Sequence, residues 1–328
     1  MSIDWKKFAE TMRSHERFLL TSHIRPDCDA LGSELGMAGV LRAIGKEVHI
    51  LNGQATPPPL RFIDPENQIR ALGEQVPLDK VPAHDALVIL DTSAWAQLGP
   101  MGEVVRNTTA KKYVLDHHAG EDDLGAVFFK NTRAEAAGRL VVEAADALGV
   151  ALTPEIARPL YAAIATDTGW MRFGSTTGDT YRVVARLVDA GASPPEIYRE
   201  LYEQDTLGRL KLRGRILART ETDLEGRLAH THVLKNDFTE TGALASDTED
   251  VINMTLTIAG VEFAVILIEQ AEGDAFKISF RSRCEVDCNQ LAKQFGGGGH
   301  KAAAGAFLKG PFPEVQTRIL DAVRAALR

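Results

Sequence analysis

Four stretches of this chain place aspartate or histidine directly after an apolar run. Tyr113-Val114-Leu115 ends in Asp116-His117-His118, and Phe18-Leu19-Leu20-Thr21-Ser22 leads into His23-Ile24-Arg25-Pro26-Asp27-Cys28-Asp29. Ala86-Leu87-Val88-Ile89-Leu90 is followed by Asp91, and a helical stretch through Ala165-Thr166 delivers Asp167-Thr168-Gly169. Charged and imidazole side chains at the C-terminal lip of a buried strand are where an open α/β sheet carries its chemistry. His23, Asp27 and Asp29 follow the spacing H-x3-D-x-D, which lets three side chains on one loop converge on a small volume. Pro26 stiffens that loop by fixing its own φ and restricting Arg25. Gly32 and Ser33 are then expected to open a helix whose first N–H groups favour an anion.

Buried carboxylates without cations cost several kcal/mol each, and these motifs bring no matching set of lysines. A divalent metal is the simplest counter-charge. Mixed imidazole and carboxylate ligands suit Mn²⁺, and Zn²⁺, Fe²⁺ or Co²⁺ would also fit.

A second constellation lies near the C-terminus. Gly296-Gly297-Gly298-Gly299-His300-Lys301 sits between a helical and a strand pattern, so it does not read as a linker. Glycine permits positive φ, and backbone N–H groups turned inward would form an anion-binding concavity. Upstream, Phe276, Ile278 and Phe280 alternate with Lys277, Ser279, Arg281 and Arg283, which share the opposite strand face. Beside the glycine run, those arginines are candidate phosphate readers.

These motifs resemble the DHH phosphoesterase superfamily, whose four N-terminal motifs match the four places above in order. The Gly296–His300 run followed by Lys-Ala-Ala-Ala-Gly is similar to the companion DHHA1 domain. The resemblance spans nearly the whole chain and is greatest to the small two-domain oligoribonucleases and pAp phosphatases. It implies two bound metal ions, Mn²⁺ foremost. One would be held by His23, Asp27 and Asp91, the other by Asp29, Asp91, His117 and Asp167, with Asp91 bridging. It further implies that His118 faces the substrate and that Asp116 orients the histidines. Substrate would also meet Gly297, Gly298, Gly299, His300, Arg283 and, first, Arg281. Cys28 stands where the family usually has glycine.

Length and composition set the frame. At 328 residues the chain is long for one domain. With 45% hydrophobic and 25% charged residues it is an ordinary globular composition. No apolar run approaches the ~18 residues of a membrane span, the first residues lack the core of a signal peptide, and a cytoplasmic location is expected. Three cysteines do not make a disulfide framework. The net charge of −8 argues against coating long nucleic acid, which needs many phosphate-neutralising cations, but not against a short phosphorylated substrate.

The elements that must position these residues alternate. Residues 4–16 read as a helix with Trp5 and Phe8 inward, and Gly32–Ile44 as a second helix stopped by Gly45. Strands are expected at 47–51, 85–90 and 112–115, and the proline run at 57–59 as an extended loop. Helices follow at 135–148, 154–165 and 178–190. Alternation of this kind implies right-handed βαβ units and a doubly wound, mostly parallel sheet. One basic helix is expected from Pro194 to about Ala218. Strands at 228–234, 261–269, 276–283 and 304–308, with helices at 248–259, 286–295 and 314–327, make a smaller mixed α/β domain. The expected division is a DHH domain over 1–190, a helical connection over 191–220 and a DHHA1 domain over 221–328.

The resulting expectation is a two-metal phosphoesterase working between its two domains. It would cleave very short RNA to mononucleotides and 3′-phosphoadenosine 5′-phosphate (pAp) to AMP. Alternatives are hydrolysis of linear products of cyclic dinucleotides, a RecJ-like single-strand exonuclease, or a nucleotide-binding regulator with a decayed site. The last should have lost ligands, and every expected one is present. No membrane partner is expected, and a homodimer is compatible with the sequence.

Overall fold

The computed structural model describes residues 3–270 and 274–328, which fall into two compact units dividing between Gln204 and Asp205. In the first unit six strands form one parallel sheet: β1 (Arg17–Thr21), β2 (Glu47–Asn52), β3 (Ile69–Ala71), β4 (Ala86–Leu90), β5 (Lys111–Asp116) and β6 (Val127–Lys130). Their spatial order is β3-β2-β1-β4-β5-β6, the doubly wound order in which the connections reverse direction between β1 and β4. The core strands are continuous apolar runs because both faces are covered. Phe18, Leu20, Val88 and Leu90 pack on one face, and Leu19, Leu87, Ile89 and Val114 on the other.

The first face is covered by α1 (Trp5–Arg13), α2 (Cys28–Ala43), α5 (Ala137–Leu148), α6 (Pro154–Asp167), α7 (Gly178–Asp189) and α8 (Pro194–Tyr202). The short α3 (Trp95–Leu98) and α4 (Met101–Asn107) cover the other through Leu98, Met101, Val104 and Val105. Helix α2 is buried almost all round, and α6 presses closely on it. A methyl at Gly32 would collide with the Pro159 carbonyl, and one at Gly36 with Leu160.

The second unit holds α9 (Leu207–Ala218), β7 (Glu221–Asp223), β8 (Leu228–Val233), α10 (Lys235–Thr241), α11 (Val251–Thr255), β9 (Phe263–Glu269), β10 (Ala275–Ser282), α12 (Cys288–Lys293), β11 (Gly298–Gly299), β12 (Ala303–Lys309) and α13 (Phe312–Leu327). Its sheet runs β11-β12-β10-β9-β8-β7. Among the described strands of this second sheet, only the β8–β9 pair is parallel. Phe263, Phe276, Ile278 and Phe280 face α12 and α13, while Ala229, Ala264 and Ile266 face α9 and α11.

Several expectations are corrected. Helix α2 opens at Cys28 rather than Gly32, with Asp27 as its N-cap, so Asp29 stands in the first helical turn. The Asp27 side chain already takes the N–H groups of Asp29 and Ala30, which removes the anion site expected at Gly32. The proline run enters a 3-10 turn, Pro58–Ile63, instead of an extended loop, since proline suits a first helical turn. The expected long basic helix is two helices, α8 and α9, interrupted before the Thr206 cap. Four of its arginines are ion-paired: Arg209 and Arg213 to Asp205, Arg215 and Arg219 to Asp237. The helix expected at 248–259 shortens to α11.

Candidate metal centre

The C-terminal lip of the first sheet gathers all six candidate ligands. His23 follows β1, Asp91 follows β4, and His117 follows β5. Asp27 and Asp29 stand at the start of α2, and Asp167 is the last residue of α6. His117 Nε2 lies 3.3 Å from Asp91 Oδ1, 3.6 Å from Asp29 Oδ2 and 3.6 Å from Asp167 Oδ2. His23 Nε2 lies 3.3 Å from Asp91 Oδ2 and 3.9 Å from Asp27 Oδ1. The two carboxylate oxygens of Asp91 therefore face different histidines. Asp91 holds a left-handed backbone, φ 59°, and strain of this sort persists where the surrounding structure enforces it.

Both imidazoles are aimed from behind. His23 Nδ1 meets the Ile24 carbonyl at 3.0 Å and His117 Nδ1 the Ala134 carbonyl at 3.2 Å. Donation through Nδ1 leaves Nε2 toward the carboxylates, the usual support of a metal-binding histidine. Asp29 is fixed by the first turn of α5: Ala137 N donates to its Oδ2 at 2.7 Å and Gly138 N to its Oδ1 at 2.8 Å. Asp29 and Asp167 stand on α2 and α6, which pack closely at Gly32 and Gly36.

The electrostatics call for positive charge at this place. Burial and the neighbouring Asp91 and Asp167 push the Asp29 carboxyl well above the usual range, and burial likewise raises Asp167. Burial alone would raise Asp91 too, but His117 and His23 outweigh it and hold that carboxyl low. Burial alone would lower His23, yet the hydrogen bonds to Asp91 and the Ile24 carbonyl lift it to about 9. His117 is raised against its own burial by Asp91, Asp29 and Asp167. Asp91 Oδ1 is buried and takes no hydrogen bond of good geometry, although His117 lies close. Ligand atoms of His23, Asp27 and Asp91, and of Asp29, His117 and Asp167, lie within 4.8 Å of one another in each set. A buried carboxylate oxygen without a proper donor, inside a set of oxygen and imidazole ligands, fits divalent metal.

Asp116 and His118 have a separate arrangement. Asp116 is fully buried, and its Oδ1 accepts from His118 Nδ1 at 2.8 Å and His118 N at 3.1 Å. That commits Nδ1 and leaves Nε2 of His118 free. The His118 side chain is 56% exposed against 14% for His117, so the two neighbours face different surroundings. His118 lines a cavity of about 700 Å³ together with His23, Asp27 and Asp91. The hydrogen bonds from His118 and Ser93 outweigh burial and hold the Asp116 carboxyl down at about 2.

Three contributors to this site escaped sequence reading. Ser93 Oγ donates to Asp116 Oδ2 at 2.7 Å, and Lys130 Nζ lies 3.3 Å from that oxygen and 2.7 Å from Ser93 Oγ. The third is the Ala137–Gly138 backbone. Lys130 ends the apolar pair Phe128-Phe129 as the other site residues end theirs, a signal that was available. The backbone donors have no residue signature.

In the second unit, the register sets Arg281 opposite Ala303, whose carbonyl accepts from His300 N at 2.8 Å. Arg281, half-buried, and the exposed His300 thus share one corner of the sheet. Arg283 lies past the end of β10 and donates to the Leu256 carbonyl at 2.7 Å. The glycine run is not an open anion nest. The N–H groups of Gly296, Gly297 and Gly299 are given to Lys293 O, Ala292 O and Asn289 Oδ1, and Gly298–Gly299 pairs with β12. A methyl at Gly297 would collide with the Gly305 carbonyl, so close backbone approach is the reason for glycine there.

A doubly wound sheet that brings carboxylates and imidazoles to its switch point has the architecture of an α/β phosphoesterase. The DHH family N-terminal domain matches residues 17–164, and the DHHA1 domain matches residues 230–328. The chain belongs to the DHH phosphoesterase family and carries its DHHA1 domain. It is 32% identical to the bifunctional oligoribonuclease and PAP phosphatase NrnA of Thermus thermophilus, over 98% of this chain and 95% of that one. Identity to the protein of the same name from Bacillus subtilis is 29%, covering 90% of each. An exopolyphosphatase-related protein from Bacteroides fragilis superposes with a TM-score of 0.80 at 25% identity, covering 98% of this chain and 95% of that one. Among the described residues no helix is long and apolar enough to cross a membrane.

Proposed function

We propose that this protein is a two-metal phosphoesterase that cleaves very short RNA to nucleoside monophosphates and pAp to AMP. The observation that carries the reading is Asp91, whose Oδ2 faces His23 and whose Oδ1 faces His117. His23, Asp27 and Asp91 would hold one ion, and Asp29, Asp91, His117 and Asp167 the other, with Mn²⁺ favoured by this ligand set. When bound, the pair supplies Lewis acidity at phosphorus and acidifies the attacking water. The full-length likeness to proteins named as oligoribonucleases and PAP phosphatases supports the choice of substrates.

The protein's own groups account for the remaining steps. His118 presents Nε2 to the cavity and donates a proton to the departing ribose oxygen, while Asp116 holds the ring through Nδ1. Asp29 stays in place through its two backbone donors. In the second unit Arg281, Arg283 and His300 are the residues that would contact substrate.

The test is purified protein loaded with Mn²⁺ and presented with pAp, di- to pentaribonucleotides, a long oligoribonucleotide, pyrophosphate and linear dinucleotides from cyclic precursors. Preference for pAp and the shortest RNAs is expected. Preference for the long strand, or turnover of pyrophosphate alone, would overturn the reading. Arg281→Ala should lose more activity on dinucleotide than on an aryl phosphodiester.

A further inference from the structure

The cavity of about 700 Å³ that contains His23, Asp27, Asp91 and His118 is also lined by Glu121 and Asp122. Arg25 is the single lysine or arginine among the described residues lining it. Its side chain is exposed, and no carboxylate among the described residues lies within ion-pair distance of its guanidinium. An unpaired cation in so acidic a recess is unusual. Arginines elsewhere in this chain, such as Arg209, Arg213, Arg215 and Arg219, are matched to carboxylates.

The backbone that carries Arg25 is held through two consecutive N–H groups. Arg25 has φ 54°, a left-handed conformation that a bulky residue before proline rarely adopts. Gln54 Oε1 accepts its N–H at 2.6 Å, and the preceding N–H, of Ile24, donates to the Gln97 carbonyl at 2.7 Å. The Ile24 side chain fills space where a methyl at Gly99 would collide. A strained, clamped residue in a functional cleft is a recurrent sign of a constrained contact.

We propose that Arg25 binds a second, non-scissile phosphate of the substrate, on the same unit as the metal centre. The inference rests on the phosphoesterase reading above. The phosphate undergoing attack would have its charge matched at the Asp91-centred cluster. A further phosphate entering the cavity would meet Asp122, which repels it, Glu121, whose carboxylate lies 3.7 Å from Lys130 Nζ, and Arg25, whose planar fork matches phosphate geometry. One guanidinium serves one phosphate. The substrate class selected is therefore a nucleotide carrying one phosphate beyond the reacting one, as pAp and a 5′-phosphorylated dinucleotide do. A longer strand would lay its additional phosphates along carboxylates.

The test compares Arg25→Gln and Arg25→Lys with wild type, metal-loaded, on pAp and on bis(4-nitrophenyl) phosphate, which has no second phosphate. Arg25→Gln should raise KM for pAp by about 10- to 100-fold, the scale of a lost hydrogen bond to a charged group. The change in kcat should be much smaller, and Arg25→Lys should recover part of the loss. Metal content should match wild type in both variants. Equal losses of kcat/KM on the two substrates, or an unchanged KM for pAp, would overturn the proposal. If wild type does not turn over pAp, the proposed activity fails, and Arg25 is then judged by inhibition. The Ki of pAp against the aryl diester must rise by a similar factor in Arg25→Gln, and an equal Ki removes the assignment.

Discussion

Lys130 Nζ stands 3.3 Å from Asp116 Oδ2, and both side chains are withdrawn from water, at 11% and 0% exposure. The ammonium also donates to the Gly120 carbonyl at 2.5 Å. It therefore ties the end of β6 to the loop that follows His118 and to the acid that aims His118. Removing one partner of a buried pair leaves the other charge uncompensated, at about 3–5 kcal/mol. We expect Lys130→Met to lower the unfolding free energy on that scale in denaturant titration. It should also reduce kcat while Mn²⁺ content stays at the wild-type level. A variant of wild-type stability and turnover would show that the pair is incidental.

His117 and His118 are neighbours with different tasks. His118→Ala should keep its metal and lose kcat by roughly 10²–10⁴, the usual scale for proton-transfer help. His117→Ala should lose metal. Elemental analysis of the two variants decides the matter, and metal loss confined to the His118 variant would reverse the roles.

The contact of α2 with α6 links packing to the site. Gly32 leaves no room for a methyl against the Pro159 carbonyl, and that contact lies one turn from Asp29 and two turns from Asp167. Overpacking costs about 1–3 kcal/mol. Gly32→Ala should therefore lower Tm and weaken Mn²⁺ binding together. A lower Tm with unaltered metal affinity would uncouple the helix contact from the ligands.

Glu34 supplies a pH dependence. It is fully buried, with Asn52 Nδ2 donating to its Oε2 at 2.9 Å. Burial outweighs the Asn52 hydrogen bond and raises its pKa from 4.5 to about 8. Because the folded-state pKa is the higher one, the folded protein holds the proton longer. The stability gained from burying a neutral carboxyl is complete below 4.5 and is lost as pH rises through about 8. The slope between these limits is at most about 1.4 kcal/mol per pH unit. Glu34→Gln should remove that slope, matching wild type below pH 4.5 and exceeding it most above pH 8. Parallel stability curves for the two proteins would mean that Glu34 titrates normally.

What could be read beforehand followed from residue type and burial. Strands β1, β4 and β5 are legible because a parallel strand covered on both faces is a continuous apolar run. The edge strands β3 and β6 span three and four residues, too few to set up a period. The early start of α2 was hidden because Cys28, Asp29, Ala30 and Leu31 are all buried, so no polar face marks a helical repeat. The six candidate ligands stood out because only acids and imidazoles serve that chemistry. The N–H groups of Ala137 and Gly138, which hold Asp29, could not, since every residue but proline has one. The reading of the glycine run as an open anion nest missed β11, because pairing with β12 depends on a fold that glycine does not encode.

The most direct measurement is Mn²⁺ stoichiometry by elemental analysis after equilibrium dialysis, together with pAp hydrolysis, for wild type and Asp91→Ala. We expect about two ions per chain in wild type, as a shared carboxylate requires. The Asp91→Ala protein should hold less than one and show no detectable hydrolysis, because each proposed ion loses a ligand. Near-normal turnover with metal retained in Asp91→Ala, or a single ion per wild-type chain, would contradict a two-metal centre bridged by Asp91.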